Sequence, residues 1–322
     1  MWPEQAVWPE EAVWPEQAVW PGQGVSPGQT GLDLSFVLGT GRCGSTLVHE
    51  VLAHHRAVGF VSNIDDNLPA FDLRGRWNGQ IYRRVPPRFS QKGRLRFAPS
   101  EAYRLLDRQV SPMISNPSRN LTAEDATPWV SGQFRRFFEA RAEAQHRPAF
   151  LHKFTGWPRV GFISAVFPEA RFINIIRDGR AVANSWLQMP WWRGYRGPEG
   201  WPWGSLPARY EAAWEDSDRS FVALAGIGWM VLMDAFEQDQ AQVPVSRSLE
   251  IRYEDIVTDP RGEHRRMLTF LGLDWGKQFE AAFRRYSFSS ARHDAYRRDL
   301  SLSHVALLEK IQGERLARYG YL

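Results

Sequence analysis

The chain has 322 residues, 43% of them hydrophobic, and its 40 Lys and Arg against 36 Asp and Glu give a net charge of +4. Its single cysteine excludes an internal disulfide framework and a Cys-rich zinc site. The charge suits an anionic small ligand, but there are none of the basic runs typical of nucleic-acid binders, so we expect no nucleic-acid partner. The longest uncharged apolar run, 221–233, is shorter than the roughly 20 residues that span a bilayer. No secretory leader is evident either, and we therefore expect a cytoplasmic protein without a transmembrane segment.

Residues 1–31 consist of a hexapeptide repeat, four copies of which begin with Trp-Pro and the fifth with Ser-Pro. Proline at every sixth residue prevents a continuous helix, and five short copies bury too little surface for a solenoid. We predict a disordered tail over 1–31, with the alternative that the spaced tryptophans form a docking motif. One domain is predicted over 32–322.

From Leu32 onward, short apolar strands alternate with amphipathic helices. This pattern predicts an α/β domain with a central parallel sheet flanked by helices. The predicted strands are 34–38, 57–61, 150–153, 171–176 and 249–252. The predicted helices are 46–53, 123–145, 179–188, 206–240, 261–271 and 303–319. The segments 62–99 and 190–205 are predicted to be irregular loops, which commonly hold a ligand on such a scaffold.

A glycine-rich turn links the first predicted strand to the first helix. Backbone N–H groups in such a turn and the positive end of the helix dipole bind phosphate oxygens. Serine stands where the P-loop pattern of nucleoside triphosphatases requires lysine, which disfavours the alternative of a small-molecule kinase using ATP and magnesium. The predicted anion-binding residues of this turn are Gly41, Arg42, Cys43, Gly44, Ser45 and Thr46. Cys43 itself is predicted to fill a tight loop rather than to act in redox chemistry.

A second predicted anion site follows the fourth strand, where Arg177 and Ser185 stand eight residues apart. Ligands of open α/β sheets bind beyond the carboxyl ends of the strands, so Arg42 and Arg177 are expected on the same rim. Two phosphate sites predict a nucleotide that is phosphorylated in two places.

These motifs resemble the sulfotransferase family that uses 3′-phosphoadenosine 5′-phosphosulfate, in its bacterial and tyrosylprotein-type branch. The segment 42–46 is similar to the family's 5′-phosphosulfate loop, and Arg177 with Ser185 to its 3′-phosphate motif. The segment 252–260 resembles the family's Tyr-Glu-Asp segment, whose tyrosine, here Tyr253, lies by the adenine. The resemblance implies a P-loop-like fold and sulfuryl transfer to a hydroxyl or phenol of a small molecule or peptide. It also implies adenosine 3′,5′-bisphosphate as the product and no metal.

Two cations are implied beside the bridging oxygen of the donor, where negative charge builds during transfer. Arg42 is one. The other is Lys153, at the end of the third predicted strand, where the resembled branch also has a lysine. The alternative of a binding protein without chemistry would be expected to lack Arg42 or Lys153, and both are present.

The general base is left open among several residues. The resembled branch uses a carboxylate in the loop after the second strand, where this chain has Asp65 and Asp66. His54 and His152 are the alternatives.

The segment 186–203 contains five tryptophans and several glycines directly after the second anion motif. We interpret it as a loop that covers the active site and stacks on a flat acceptor. The predicted acceptor-binding residues are Trp191, Trp192, Tyr195 and Trp201.

Overall fold

The computed structural model describes residues 32–68, 73–90 and 97–322. The predicted tail at 1–31 lies outside these residues and stays a prediction. Within the described residues, five parallel strands form one sheet in the order β2-β3-β1-β4-β5. The strands are β1 Asp33–Leu38, β2 Val58–Gly59, β3 Ala149–Lys153, β4 Arg171–Ile176 and β5 Ser248–Arg252. The predicted parallel α/β sheet is confirmed.

The edge strand β2 is shorter than predicted. The cause lies at Phe60, whose backbone N–H donates to Gln145 Oε1 at 3.1 Å and whose carbonyl accepts from Gln145 Nε2 at 2.9 Å. A side chain of the neighbouring helix thus takes the backbone hydrogen bonds that a further strand residue would use.

Helices cover both faces of the sheet. Those of the first half are α1 Ser45–Leu52, α2 Asn63–Asn67, α3 Asn78–Arg84, α4 Pro87–Ser90, α5 Tyr103–Gln109, α6 Pro128–Gln145 and α7 Val160–Val166. Those of the second half are α8 Gly179–Leu187, α9 Ala208–Glu215, α10 Phe221–Gln240, α11 Tyr253–Thr258, α12 Pro260–Phe270, α13 Lys277–Phe283, α14 Tyr296–Asp299 and α15 Leu302–Arg318.

Two helical predictions need correction. The predicted helix 206–240 is two helices, because Asp218 and Arg219 both have φ of 54° and Ser220 then caps α10 through the N–H groups of Val222 and Ala223. The segment 62–99 was expected to be irregular, yet α2, α3 and α4 lie within it. Sparse apolar periodicity over such short helices explains why the pattern did not reveal them.

The core follows the alternation of side chains along the strands. Phe36 of β1 packs on one face of the sheet with Phe150, Phe172 and residues of α5, α6 and α7. Val37 points to the other face, toward a cluster with residues of α1, α12 and α13. A third cluster joins α8, α10 and α15 with several tryptophans.

The described residues include one helix, α10, that is long and apolar enough to cross a membrane. In its most apolar window, 78% of the residues are buried inside the fold, and α10 packs against α8 and α15. The helix is longer than the uncharged run 221–233, and its apolar side chains lie in the core.

Candidate functional site

A cavity of about 550 Å³ lies at the carboxyl ends of the strands. Gly41 follows β1, Lys153 ends β3, Arg177 follows β4 and Tyr253 follows β5, and all four residues line this cavity. The parallel register brings these residues, distant in sequence, to one rim. Five basic side chains and one carboxylate, that of Glu101, line the described cavity, which therefore favours an anionic ligand.

The glycine-rich turn gives the cavity a set of backbone donors. Gly44 precedes α1 with φ of 90°, and no side chain caps the first N–H groups of that helix. These amides can therefore bind an anion. A Cβ atom at Gly44 would overlap the ring of Tyr253, so both the backbone conformation and the close ring require glycine here.

Three guanidinium groups meet beside this turn. Arg42 Nε donates to Ser185 Oγ at 2.9 Å, and Arg177 donates to the carbonyls of Arg42 and Arg292, each at 2.8 Å. The Nε atom of Arg177 is buried and has no hydrogen-bond partner among the described residues. Burial lowers the pKa of Arg42, and the charges of Arg292 and Arg177 lower it further. An anion placed among these groups would relieve that repulsion.

An aromatic ring closes the same end of the cavity. The guanidinium of Arg177 lies over the ring of Tyr253, 4.6 Å from its centroid. Because the same ring also lies against Gly44, Tyr253 contacts both predicted phosphate sites.

Lys153 forms the centre of a second set of polar contacts. Its Nζ donates to Thr46 Oγ1 at 2.9 Å and to Glu101 Oε1 at 2.6 Å. Thr155 Oγ1 donates to the same Glu101 oxygen at 2.7 Å. One cation thus joins the phosphate-binding turn to a carboxylate within one cavity.

Residues 35–277 match the family described as the sulfotransferase family. The chain belongs to this family. The match confirms the resemblance that the three motifs indicated.

The similarity of this family member to individual relatives is modest. Over 163 residues it is 26% identical to the omega-hydroxy-beta-dihydromenaquinone-9 sulfotransferase Stf3 of Mycobacterium bovis and of Mycobacterium tuberculosis. That match covers 51% of this chain and 38% of the relative, so the chain spans well under half of the curated relatives' length.

Two crystal structures share its fold. Sulfotransferase STF1 from Mycobacterium tuberculosis is 16% identical and has a TM-score of 0.52, with 87% of this chain and 76% of that chain covered. Sulfotransferase STF9 from Mycobacterium avium is 14% identical with the same TM-score, and 88% and 76% are covered.

The structure does not bring Asp65 or Asp66 to the cavity of this family member. Asp65 caps α2: its Oδ2 accepts from the Ser62 N–H at 2.9 Å and from Asn78 Nδ2 at 2.6 Å. Asp66 accepts from the Leu105 N–H at 3.1 Å. Asp65 forms the capping box of α2 with Ser62, which is the usual use of a Ser-x-x-Asp sequence at a helix start. Asp66 instead accepts hydrogen bonds from Ser100 and from the first turn of α5.

The two histidines considered as bases are also outside the cavity. Burial, followed by the charges of Arg285 and Arg83, lowers the pKa of His54 to about 3. Burial is also the largest cause of the lowered pKa of His152, whose ring lies among phenylalanines. Neither ring lines the cavity.

The tryptophan-rich segment is divided between the cavity and the core. Trp191 is 47% exposed and lines the cavity, as predicted. Trp192 and Trp201 are buried, and Trp192 stacks on Trp186 with an interplanar angle of 18°. Tyr195 is exposed but does not line the cavity. Of the four residues predicted to bind the acceptor, only Trp191 is among the described residues that line the cavity, and its role in acceptor binding stays a prediction.

Cys43 also lies behind the cavity rather than in it. Its side chain is fully buried, and its sulfur fills the space that a Cβ atom at Gly39 would need. This placement agrees with the interpretation of a small residue in a tight loop.

Sequence reasoning missed several cavity residues. Glu101 stands alone after a long irregular segment, with no motif around it, and Arg292 belongs to an arginine-rich stretch that gives no positional signal. The aromatic side chains of Trp157, Trp186 and Trp203 also line the cavity. A carboxylate late in the connection between β2 and β3 could have been considered for the base, because that connection has to return to the sheet before β3.

Proposed function

We propose that this protein transfers the sulfuryl group of 3′-phosphoadenosine 5′-phosphosulfate to the hydroxyl group of a small acceptor. The observation that carries the proposal is the position of Lys153 between the hydroxyl of Thr46 in the anion-binding turn and the carboxylate of Glu101. A cation there can stabilise the negative charge on the leaving phosphate and also orient the carboxylate that serves as the base.

The donor site fits a doubly phosphorylated nucleotide. The amides of 41–46 and the Arg42 side chain would bind the 5′ end, and Arg177 with Ser185 would bind the 3′-phosphate. Tyr253 would lie by the adenine. The uncapped start of α1 and the unpartnered Nε of Arg177 support this assignment, because both are donors without an acceptor among the described residues.

The donor, when bound, supplies the sulfuryl group: the acceptor oxygen forms a bond to sulfur while the bond from sulfur to the 5′-phosphate oxygen breaks. Lys153 and Arg42 would donate hydrogen bonds to the oxygen on which negative charge develops. Glu101 would accept the proton of the acceptor hydroxyl. Thr155 Oγ1 donates at 2.7 Å to the same Glu101 oxygen as Lys153, and the two donors together fix the direction of the carboxylate.

The acceptor is proposed to be a small alcohol with an apolar body. The support is aromatic: Trp157, Trp186, Trp191 and Trp203 line the cavity. The Stf3 relative is likewise named for an acceptor with a hydroxyl group, omega-hydroxy-beta-dihydromenaquinone-9.

Calorimetry with adenosine 3′,5′-bisphosphate and with ATP-magnesium tests the donor. We expect the bisphosphate to bind and ATP-magnesium to bind weakly or not at all. The reverse order would favour the kinase alternative, which Ser45 in the lysine position already disfavours.

Transfer of labelled sulfate from the donor to a panel of alcohols and phenols then tests the chemistry. Transfer to at least one apolar alcohol is expected. Tight bisphosphate binding without transfer to any acceptor, together with no effect of Glu101→Gln on donor hydrolysis, would instead support a non-catalytic binding protein.

A further inference from the structure

A second cavity, of about 630 Å³, lies between α3 and α13, away from the residues of the proposed active site. Four arginines line it: Arg56, Arg83, Arg84 and Arg285. None of its described lining residues is acidic. Arg56 lies 3.8 Å from the carboxylate of Asp274, which is largely exposed. Such a set of guanidinium groups is suited to phosphate oxygens.

The arginines repel one another in this groove. Burial lowers the pKa of Arg83, and the charges of Arg147 and Arg84 lower it further. The Nη1 atom of Arg83 is out of contact with solvent and has no hydrogen-bond partner among the described residues. Such a buried donor without a partner needs an explanation, and an anion bound in this groove, where positive charge accumulates, would supply one.

The surface next to this groove is apolar. Trp77 and Ile81 stand four residues apart at the start and on the outer face of α3, and they are 46% and 42% exposed. They line a shallow depression that shares Gln80 and Arg84 with the arginine groove. An exposed tryptophan and an aliphatic side chain beside arginines form the arrangement that inserts into the headgroup region of a bilayer.

The inner face of α3 is firmly attached to the domain, so its outer side chains cannot turn inward. Tyr82 is fully buried and stacks on His54 with 4.2 Å between ring centroids. Asn78 Nδ2 donates to the Phe60 carbonyl at 3.0 Å and to Asp65 at 2.6 Å. Asp65, predicted as a base, thus holds α3 to the sheet edge.

We propose that the α3–α13 groove and the Trp77–Ile81 face dock this protein on an anionic membrane surface. The arginines would bind lipid phosphate groups while Trp77 and Ile81 enter the interface. Charge complementarity selects this occupant over a protein surface, because a phosphate-rich plane matches four arginines and no described acidic lining residue. The proposal does not depend on which acceptor is sulfated.

Co-sedimentation with vesicles tests it. The full chain is expected to sediment with vesicles of phosphatidylcholine and phosphatidylglycerol in a two-to-one mixture, and much less with phosphatidylcholine alone. Arg56→Gln combined with Arg84→Gln should weaken vesicle binding on the order of tenfold. Trp77→Ala should weaken it severalfold.

Matched controls come from elsewhere on the surface. Trp129 is 63% exposed, and Trp129→Ala should bind vesicles like the wild type. The pair Arg219→Gln and Arg318→Gln removes the same charge from side chains that are 67% and 63% exposed, and it should also leave binding unchanged. Unchanged affinity for adenosine 3′,5′-bisphosphate verifies that each variant is folded.

Several outcomes would overturn the proposal. These are absence of sedimentation with the mixed vesicles, equal binding to both vesicle types, or an equal loss in the controls. Inorganic phosphate that binds calorimetrically in an Arg84-dependent way, without vesicle binding, would show a free-anion site instead. Self-association that Trp77→Ala abolishes, again without vesicle binding, would show an interface between copies. Since vesicle binding needs no donor, failure here leaves the proposed sulfuryl transfer untouched.

Discussion

The donor side and the acceptor side of the cavity are built differently. Arg42, Lys153, Arg177 and Tyr253 stand at or directly after the carboxyl ends of strands, so the register of the sheet positions them. On the acceptor side, Glu101, Trp191 and Trp203 come from connections between helices, while Trp186 lies in α8 and Trp157 in the connection from β3 to α7. Residues positioned by a sheet can be located from local sequence, whereas residues positioned by loop packing cannot.

The tryptophan segment shows this contrast within a few residues. Trp191 and Trp192 are adjacent, yet one lines the cavity and the other packs on Trp186 in the core. Trp203 lies against Gly228 of α10, where any larger residue would overlap its ring. Close packing against α10 therefore decides which rings remain available to an acceptor.

The largest effect on activity is expected at Lys153, which contacts Thr46 on the donor side and Glu101 on the acceptor side. Lys153→Met should lower kcat about 10²- to 10³-fold, because a donor to the developing charge is lost. Bisphosphate affinity should change little. Labelled-sulfate transfer and calorimetry measure the two quantities. Lys310→Met, on the exposed surface of α15, is the matched control, and a loss of bisphosphate binding as large as the loss of kcat would assign Lys153 to the donor side alone.

The next effect distinguishes Glu101 from the aspartates that the sequence suggested. Glu101→Gln should lower kcat about 10²-fold and remove the acidic limb of the pH–rate profile, because the amide cannot accept the proton.

Asp66→Asn is the companion variant. It should keep kcat near the wild-type value and lower the free energy of unfolding by about 1 kcal/mol, since its carboxylate only caps the Leu105 N–H and accepts from Ser100. Thermal and chemical denaturation measure the second effect. If Asp66→Asn lowered kcat strongly and Glu101→Gln did not, the general base would instead be Asp66 of α2.

A smaller effect is expected from a substitution that alters only donor binding, at Arg177. Arg177→Ala should weaken adenosine 3′,5′-bisphosphate binding about 10- to 100-fold through the loss of charge-assisted hydrogen bonds. With saturating donor, kcat should change less. Arg298→Ala, an exposed arginine in the same part of the chain, serves as the control. If both variants lost the same bisphosphate affinity, the ligand would be attracted by the overall positive charge of the protein and not by a direct contact with Arg177.

The smallest effect on activity is expected on the acceptor side. Trp191→Ala should raise the acceptor KM severalfold and leave donor affinity unchanged, because one of several rings around the acceptor is removed.

Trp192→Ala should instead lower the free energy of unfolding by about 3–5 kcal/mol, the cost of truncating a buried aromatic side chain. Steady-state kinetics and denaturation separate the two variants. If they behaved alike, the division of this segment between cavity and core would be wrong.

The parallel α/β architecture and the family followed from the sequence alone, and its motifs also located Arg42, Arg177 and Tyr253, which the structure brings to one cavity. Strand alternation and short motifs carry that information locally, because a strand end and the turn after it are one continuous piece of chain. It also indicated Trp191.

Three facts needed the folded chain: that Glu101 contacts Lys153, that Asp65 caps α2 while Asp66 accepts from the start of α5, and that Trp192 and Trp201 belong to the core. The sequence immediately around a carboxylate or an indole ring looks the same whether that side chain caps a helix, packs in the core or lines a cavity. Its surroundings come from segments far apart in the chain: Glu101 and Lys153 are 52 residues apart, and their 2.6 Å contact exists only once the long segment after β2 has folded back to the sheet.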